Sequence, residues 1–66
     1  MPIIRVEMLE GRSVEKKAEL VAALSRELQR VCGGSLDAIY VVIDEVKKDN
    51  WGVGGQLLSA KYPDKT

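Results

Sequence analysis

Residues 3–9 read IIRVEML, a stretch in which the charged Arg5 and Glu7 alternate with apolar side chains. A period of two residues predicts a β-strand that buries one face. Gly11 interrupts the pattern and predicts a turn, because glycine adopts backbone angles that other residues avoid. The chain therefore opens with a strand whose apolar face needs a covering element.

An amphipathic helix is predicted directly after this turn. Apolar residues recur at spacings of three and four, as they do in a helix of about five turns that buries one side. They are Val14, Ala18, Val21, Leu24, Leu28 and Val31, with Leu20 and Ala23 widening the stripe. Ser13 is the expected N-cap, and Gly33-Gly34 is expected to end the helix. Cys32 is interpreted as a small buried apolar residue near that end.

A second strand and a hairpin are predicted in the remaining third of the chain. Residues 39–43 read IYVVI, a continuous apolar run that is typical of a strand covered on both faces. Strand, helix and strand in this order predict a parallel pair with a right-handed crossover. Residues 51–58 read WGVGGQLL, which suggests a short glycine-rich hairpin, and the tail at 62–66 is expected to be loosely ordered.

The length of the chain predicts self-association. A single domain of 66 residues has a small core and usually needs disulfides, a metal or partner chains. The sequence has one cysteine and no histidine, so neither a disulfide within the chain nor a structural zinc site is expected. Two strands and one helix also leave a sheet with open edges and one uncovered face, which invites pairing with another chain.

Charge and hydropathy exclude several classes of partner. Ten basic and ten acidic residues give a net charge of zero without a basic patch, so no nucleic-acid partner is expected. No apolar run approaches the roughly 20 residues that span a bilayer, and no signal peptide is expected at Met1-Pro2. The cytoplasm is the expected compartment, with no membrane partner and no cofactor. Glycines 52, 54 and 55 are interpreted as hairpin residues, because a phosphate-binding loop would continue into Lys-Ser or Lys-Thr and a helix.

Pro2 is the residue with the clearest chemical potential. Removal of Met1 would leave its nitrogen as a free secondary amine, which can accept a proton. The alternative is that Pro2 merely begins a strand at a position where a missing N–H is harmless.

The chain resembles the 4-oxalocrotonate tautomerase family over nearly its whole length. The resemblance rests on Pro2-Ile3 and on residues 9–13 (LEGRS), 41–45 (VVIDE) and 51–55 (WGVGG), in order and with matching gaps. It implies one tautomerase-type α/β domain over residues 1–66, with a β-α-β unit and a C-terminal hairpin. It also implies a hexamer built as a trimer of two-chain units, and a keto-enol isomerase that acts on enol or 2-oxo acid substrates.

The resemblance also implies the roles of three residues. Pro2 matches the family's general base, Arg12 the arginine that holds a substrate carboxylate, and Trp51 an aromatic wall that is phenylalanine in many relatives. In the family these residues meet across subunit contacts. Burial beside Trp51 and the charge of Arg12 would then lower the pKa of the terminal amine and favour its unprotonated form. The alternatives are a solvated loop arginine at Arg12 and an interface plug at Trp51.

Two positions depart from the family pattern. Tyr40 stands where relatives that process dicarboxylates carry a second arginine, and Val53 stands where water-adding relatives carry a carboxylate. A phenol offers one hydrogen bond but no positive charge, so a substrate with one carboxylate is expected. Arg5 or a second, similar chain could supply the missing charge, and a core role for the ring of Tyr40 stays open.

A non-catalytic binding module is the alternative function, and it would apply if Met1 were retained. Glu10, Asp44 and Glu45 are interpreted as turn and strand-end charges rather than as catalytic groups.

Overall fold

The computed structural model describes residues 1–63 and has a β-α-β unit followed by a small hairpin. Its elements are β1 (Ile3–Leu9), α1 (Val14–Cys32), β2 (Tyr40–Val46), β3 (Gly52–Val53), β4 (Gln56–Leu57) and α2 (Leu58–Lys61), with 3-10 turns at Leu36–Ala38 and Lys48–Asn50. Residues 64–66 of the tail, expected to be loosely ordered, lie outside the described residues. Among residues 1–63 there is no helix long and apolar enough to cross a membrane.

The first two strands form the predicted parallel pair. Ile3 lies opposite Tyr40 at one end, and Leu9 lies opposite Val46 at the other. The expectation that the second strand is covered on both faces is wrong for the single chain, since Tyr40 and Val42 are 51% and 42% exposed. The physical reason is that α1 can cover only one side, and no second layer follows it in the described chain.

The ends of α1 confirm the predicted caps. The Ser13 hydroxyl accepts a hydrogen bond from the backbone N–H of Lys16 at 3.2 Å. Gly33 has φ of 78° and donates its N–H to the carbonyl of Gln29 at 2.8 Å. A positive φ is strained for residues with a side chain, so glycine fits this position.

The helix overhangs the sheet at both ends, which corrects part of the predicted core. Val14 and Val31 are 73% and 67% exposed, and Cys32 is exposed rather than buried. Ala18 and Ala23, which were also counted in the predicted apolar stripe, are exposed as well. A helix of 19 residues rises about 28 Å, whereas a seven-residue strand spans about 23 Å. The covered part of the helix is its middle. It includes Lys17, Leu20, Val21, Leu24 and Leu28, all of intermediate burial.

The predicted hairpin is confirmed as β3 and β4. Gly54 and Gly55 form its tip with φ of 63° and 83°, which is the requirement of a type I′ turn. The backbone N–H of Leu58 donates to the carbonyl of Trp51 at 2.8 Å and ties the end of the hairpin to its beginning. The one-turn helix α2, which the sequence did not predict, begins at Leu58.

The single chain has almost no core of its own. Leu58 is the only buried hydrophobic residue within the described part of the chain. The radius of gyration is 15.3 Å, whereas a compact chain of this length has about 11 Å. The accessible surface is 5251 Å², compared with about 4,200 Å² for a folded monomer of this mass. These dimensions suit a subunit whose remaining apolar surface is covered by other chains.

Candidate functional site

The residues singled out from the sequence lie at two opposite ends of the β1–β2 sheet. Pro2 directly precedes β1, and its carbonyl accepts a hydrogen bond from the backbone N–H of Tyr40 at 3.0 Å. This bond continues the ladder of the parallel pair by one residue. Pro2 and Tyr40 therefore lie next to each other at the amino end of the sheet, and both are exposed.

Arg12 lies at the carboxyl end, in the turn between β1 and α1. Its Nη1 donates to the carbonyl of Leu9, the last residue of β1, at 3.0 Å. The turn is also tied to β2, because the backbone N–H of Glu10 donates to the carbonyl of Val46 at 3.0 Å. The side chain of Arg12 is exposed, so its remaining N–H groups face solvent and can receive an anion.

Trp51 lies at the same end of the sheet as Arg12. It is half-buried and lines an open cleft of about 220 Å³ together with Glu7, Val46, Asn50 and Gly52. A neighbouring cavity of about 350 Å³ includes Leu9, Glu10 and Gly11, the residues just before Arg12. Trp51 and the residues that precede Arg12 thus line concave surface at one end of the sheet, whereas Arg12 itself lines neither cavity.

Pro2 and Tyr40 do not meet Arg12 and Trp51 within one chain. Six residue steps separate Ile3 from Leu9 in β1, which corresponds to about 20 Å. Pro2 lies before the first of these residues and Arg12 beyond the last, so their separation is larger than the strand. The structure brings Pro2 to Tyr40, and Arg12 to the end that holds Trp51, but it does not bring Pro2 to Arg12.

Arg5, discussed as a source of the missing charge, and Val53, which stands where water-adding relatives carry a carboxylate, lie apart from Pro2 and Arg12. Arg5 lies in the middle of β1, opposite Val42, on the exposed face of the sheet. Val53 lies in the hairpin and is 44% exposed. Within residues 1–63, no cluster of three or more His, Cys, Asp or Glu side chains is arranged to hold a metal ion.

The sequence did not predict the strongest side-chain contact near Arg12. Nζ of Lys17 lies 2.6 Å from Oε1 of Glu45, and these side chains are only 27% and 28% exposed. The hydrogen bond from Lys17 is the main cause that lowers the pKa of Glu45 below its ordinary value, and the charge of Arg12 acts in the same direction. Glu45 is therefore a strand-end charge, as interpreted, with a specific partner 28 positions earlier in the chain. The available signal was Lys17 itself, which precedes Leu20 and Val21 by one helical turn and so faces the sheet.

The family model and a sequence relative point to one family. The tautomerase enzyme model matches residues 2–61. A probable tautomerase of Staphylococcus epidermidis is 46% identical over 55 residues, which cover 83% of this chain and 90% of the relative.

Solved structures of relatives have the same fold. A 4-oxalocrotonate tautomerase homologue of the tomaymycin biosynthetic pathway superposes with a TM-score of 0.89 at 33% identity, covering 96% of this chain and 97% of that one. A heterohexameric 4-oxalocrotonate tautomerase of Chloroflexus aurantiacus J-10-fl superposes with a TM-score of 0.83 at 41% identity, covering 89% and 95% of the two chains. Since family model, sequence identity and fold agree over nearly the whole length, the chain belongs to the tautomerase family, among the homologues of 4-oxalocrotonate tautomerase.

Proposed function

We propose that this protein is a keto-enol tautomerase that acts as a hexamer and uses Pro2, freed by removal of Met1, as its general base. The substrate is an enol or 2-oxo acid that carries a carboxylate. Each site combines the amino end of one chain's sheet with the carboxyl end of another's. No cofactor takes part.

The reaction is a proton transfer within the substrate. The amine of Pro2 accepts the proton of the enol hydroxyl, and the electrons of the O–H bond stay on oxygen as an enolate. The oxygen electrons then form the carbonyl while the electrons of the carbon–carbon double bond take the proton from the Pro2 ammonium, which forms a C–H bond. The enzyme returns to its starting state, and the substrate is converted to its keto form without any net gain or loss of atoms.

Three further residues bind the substrate in this proposal. Arg12 holds the carboxylate through charge-assisted hydrogen bonds, and Trp51 forms the apolar wall that excludes water. Tyr40, next to Pro2, donates a neutral hydrogen bond to the carbonyl oxygen. Because a phenol carries no positive charge, a substrate with one carboxylate is preferred over a dicarboxylate.

The observation that carries the proposal is the distance along the sheet between Pro2 with Tyr40 and Arg12 with Trp51. Pro2 and Tyr40 lie at one end of β1, and Arg12 lies beyond the other end, more than a strand length away. A site that uses Pro2 and Arg12 together must therefore take them from different chains. The nearly coreless single chain supports the same arrangement, since its exposed apolar face needs a neighbour.

Subunit complementation tests this arrangement directly. Pro2→Ala and Arg12→Ala should each lower kcat/KM for phenylenolpyruvate by roughly 10²-fold, the scale of general-base and charged-contact losses. When the two variants are denatured, mixed in equal amounts and refolded, about one quarter of the sites should contain both an intact Pro2 and an intact Arg12 from different chains. Activity should return to about that fraction of the wild-type value, whereas each variant refolded alone should stay inactive.

Two results would contradict the proposal. Failure of the mixture to recover activity, with mixed oligomers verified by native mass spectrometry, would mean that both residues act within one chain or that neither acts. A retained Met1 in the intact-mass spectrum of the active protein would make the nitrogen of Pro2 an amide, which cannot serve as the base.

A hetero-oligomeric enzyme is the second candidate, and two observations favour it. Tyr40 lacks the charge of the arginine expected at this position, and a relative of 41% identity is a heterohexamer. In that case a second, similar chain supplies the arginine, and this chain alone turns over dicarboxylates poorly. Co-purification of the chain from its own source, followed by native mass spectrometry, distinguishes the two assemblies.

A further inference from the structure

We infer that the Lys17–Glu45 ion pair positions Arg12 for binding the substrate carboxylate, so that Lys17 and Glu45 are positioning residues for the reaction. The inference rests on the proposed function, since it assumes that Arg12 holds the carboxylate. It concerns two residues that do not touch the substrate themselves.

The ion pair connects the helix to the strand at the end of the sheet that holds Arg12. Lys17 lies in the first turn and a half of α1, and Glu45 is the penultimate residue of β2. Their charged atoms are 2.6 Å apart, and both side chains are about three-quarters covered by the protein. Two other ion pairs of α1, Lys16–Glu19 and Glu27–Arg30, are local to the helix, and their side chains are well exposed. Only the pair with Glu45 joins two elements within the described residues.

Arg12 is held between the two elements that this pair joins. The backbone N–H of Lys17 donates to the carbonyl of Ser13 at 3.0 Å, so Lys17 lies one helical turn above the residue that follows Arg12. On the other side, Glu10 is bonded to Val46, the neighbour of Glu45 in β2. Residues 10–13 therefore form a short bridge between the end of β2 and the start of α1. The ion pair between Lys17 and Glu45 fixes these two elements relative to each other.

Electrostatics link Glu45 to Arg12 as well. The carboxylate of Glu45 is stabilised mainly by the hydrogen bond from Lys17, and the backbone of Gly11 and the charge of Arg12 contribute in the same direction, which lowers its pKa. Glu45 and Arg12 carry opposite charges at the same end of the sheet, where Nη1 of Arg12 donates to Leu9. Loss of this anion would leave the two cations Lys17 and Arg12 at this end without it, and we infer that the bridge would then hold Arg12 less firmly.

The experiment compares Glu45→Gln and Lys17→Met with a matched control. Each variant should raise KM for phenylenolpyruvate about ten-fold and change kcat by less than about two-fold, because binding is lost while the base is intact. Together the two substitutions should cost no more than either alone, as expected for residues that act as a unit. The control is Glu27→Gln, which removes an exposed ion pair of the same helix and should leave KM unchanged.

A second substrate separates positioning from general structural damage. The methyl ester of phenylenolpyruvate lacks the negative charge that Arg12 binds, so its KM should be high and equal in wild type, Glu45→Gln and Lys17→Met. Equal losses with the acid and the ester, or an unchanged KM for the acid, would overturn the inference. If Glu45→Gln fails to assemble, Lys17→Arg and Glu45→Asp replace it. The first keeps the ion pair and should behave as wild type. Glu45→Asp shortens the side chain by one methylene group and should raise KM for phenylenolpyruvate but not for its methyl ester.

NMR relaxation keeps this inference distinguishable from the proposed function. In the wild type the Nε–H group of Arg12 should be ordered, and in Glu45→Gln it should be mobile on the picosecond to nanosecond timescale. This measurement needs no turnover. If the wild type converts no enol, the proposed function is wrong, and the mobility of Arg12 still decides whether the ion pair positions it. Equal order in both proteins would overturn the inference.

Discussion

The two ends of the β1–β2 sheet differ in how much of their structure one chain can build. At the carboxyl end, Arg12 donates a hydrogen bond to Leu9, and Glu45 forms an ion pair with Lys17. The buried Leu58 donates its backbone N–H to Trp51 and so closes the hairpin. These contacts tie the ends of β1 and β2, the start of α1 and the hairpin together, and they form within one chain.

The amino end is much less complete. One backbone bond joins Tyr40 to Pro2, and the neighbouring Met1, Ile3 and Tyr40 are 84%, 56% and 51% exposed. The difference teaches that the end with Arg12 is already organised within the single chain, whereas the end with Pro2 is left open to solvent. In the proposed mechanism, another chain is expected to exclude water around Pro2.

The largest effect is expected from a charge on the open face of the sheet. Val42→Lys places a cation on this face beside Arg5, its register partner in β1. If another chain covers the face, burial of an unpaired charge there costs several kcal/mol. The variant should fail to assemble and should lose nearly all tautomerase activity, because each site of the proposed hexamer takes residues from two chains. Sedimentation velocity at micromolar concentration measures the assembly.

Ala23→Lys is the matched control for this prediction. Ala23 is exposed on α1 and lies four residues from both Glu19 and Glu27, where a lysine is favourable. This variant should assemble and react as the wild type does. A Val42→Lys protein that sediments as the wild-type oligomer would show that the open face is not an interface, and the contrast between the two ends would then need another explanation.

A smaller effect is expected from Tyr40→Arg, which adds a charge to the amino end. A hydrogen bond to a charged group contributes about 1.5–3 kcal/mol, compared with about 1 kcal/mol for a neutral one. The variant should therefore raise kcat/KM for 2-hydroxymuconate roughly ten-fold, since about 1.4 kcal/mol corresponds to a factor of ten. The value for phenylenolpyruvate should change much less. A wild-type enzyme that already prefers the dicarboxylate would show that Arg5 or a second chain supplies the charge.

The smallest effect concerns the acid stability of the carboxyl end. The pKa of Glu45 is lowered in the folded protein, mainly by the hydrogen bond from Lys17. A carboxyl group whose pKa is lower in the folded state contributes stability above its unfolded pKa, near 4.5, and this contribution is lost as the pH falls through the folded value. Wild type should therefore be more stable than Glu45→Gln at pH 6, and the difference should shrink below pH 4.

Thermal denaturation at a fixed protein concentration measures this difference, because the stability of an oligomer depends on concentration. Glu27→Gln removes a fully solvated ion pair and should shift the melting temperature less, since such pairs contribute little. A difference between wild type and Glu45→Gln that does not depend on pH would mean that shape, not charge, stabilises this end.

The local patterns explain how much of the fold could be predicted. The alternation in residues 3–9, the cap at Ser13 and the stop at Gly33 depend on neighbours in the sequence, and the structure confirms all three. The short helix α2 was missed, because four residues give no periodicity to detect. The exposure of Val31 and Cys32 was also missed, since a helical stripe does not reveal where the sheet beneath it ends.

The residues of the candidate site could be predicted from the sequence, but their positions relative to one another could not. Pro2, Arg12, Tyr40 and Trp51 were identified from the sequence and the resemblance, and their roles stay predictions. Their positions at two ends of one sheet follow from the register of β1 and β2, which depends on contacts between segments more than 30 residues apart. The pairing of Lys17 with Glu45 likewise depends on two segments that are distant in the sequence.

The sequence by itself determined the order of the elements, the caps of the helix and the glycine turn of the hairpin, because each depends on local backbone preferences. Its length and composition also led to the expectation of partner chains. Only the tertiary structure decided which face of the sheet stays open, that Pro2 and Arg12 lie at opposite ends, and that Lys17 of the helix reaches Glu45 at the end of β2. The physical reason is that these outcomes depend on how the helix packs across the parallel strands, and packing is a property of distant residues brought together rather than of any single stretch.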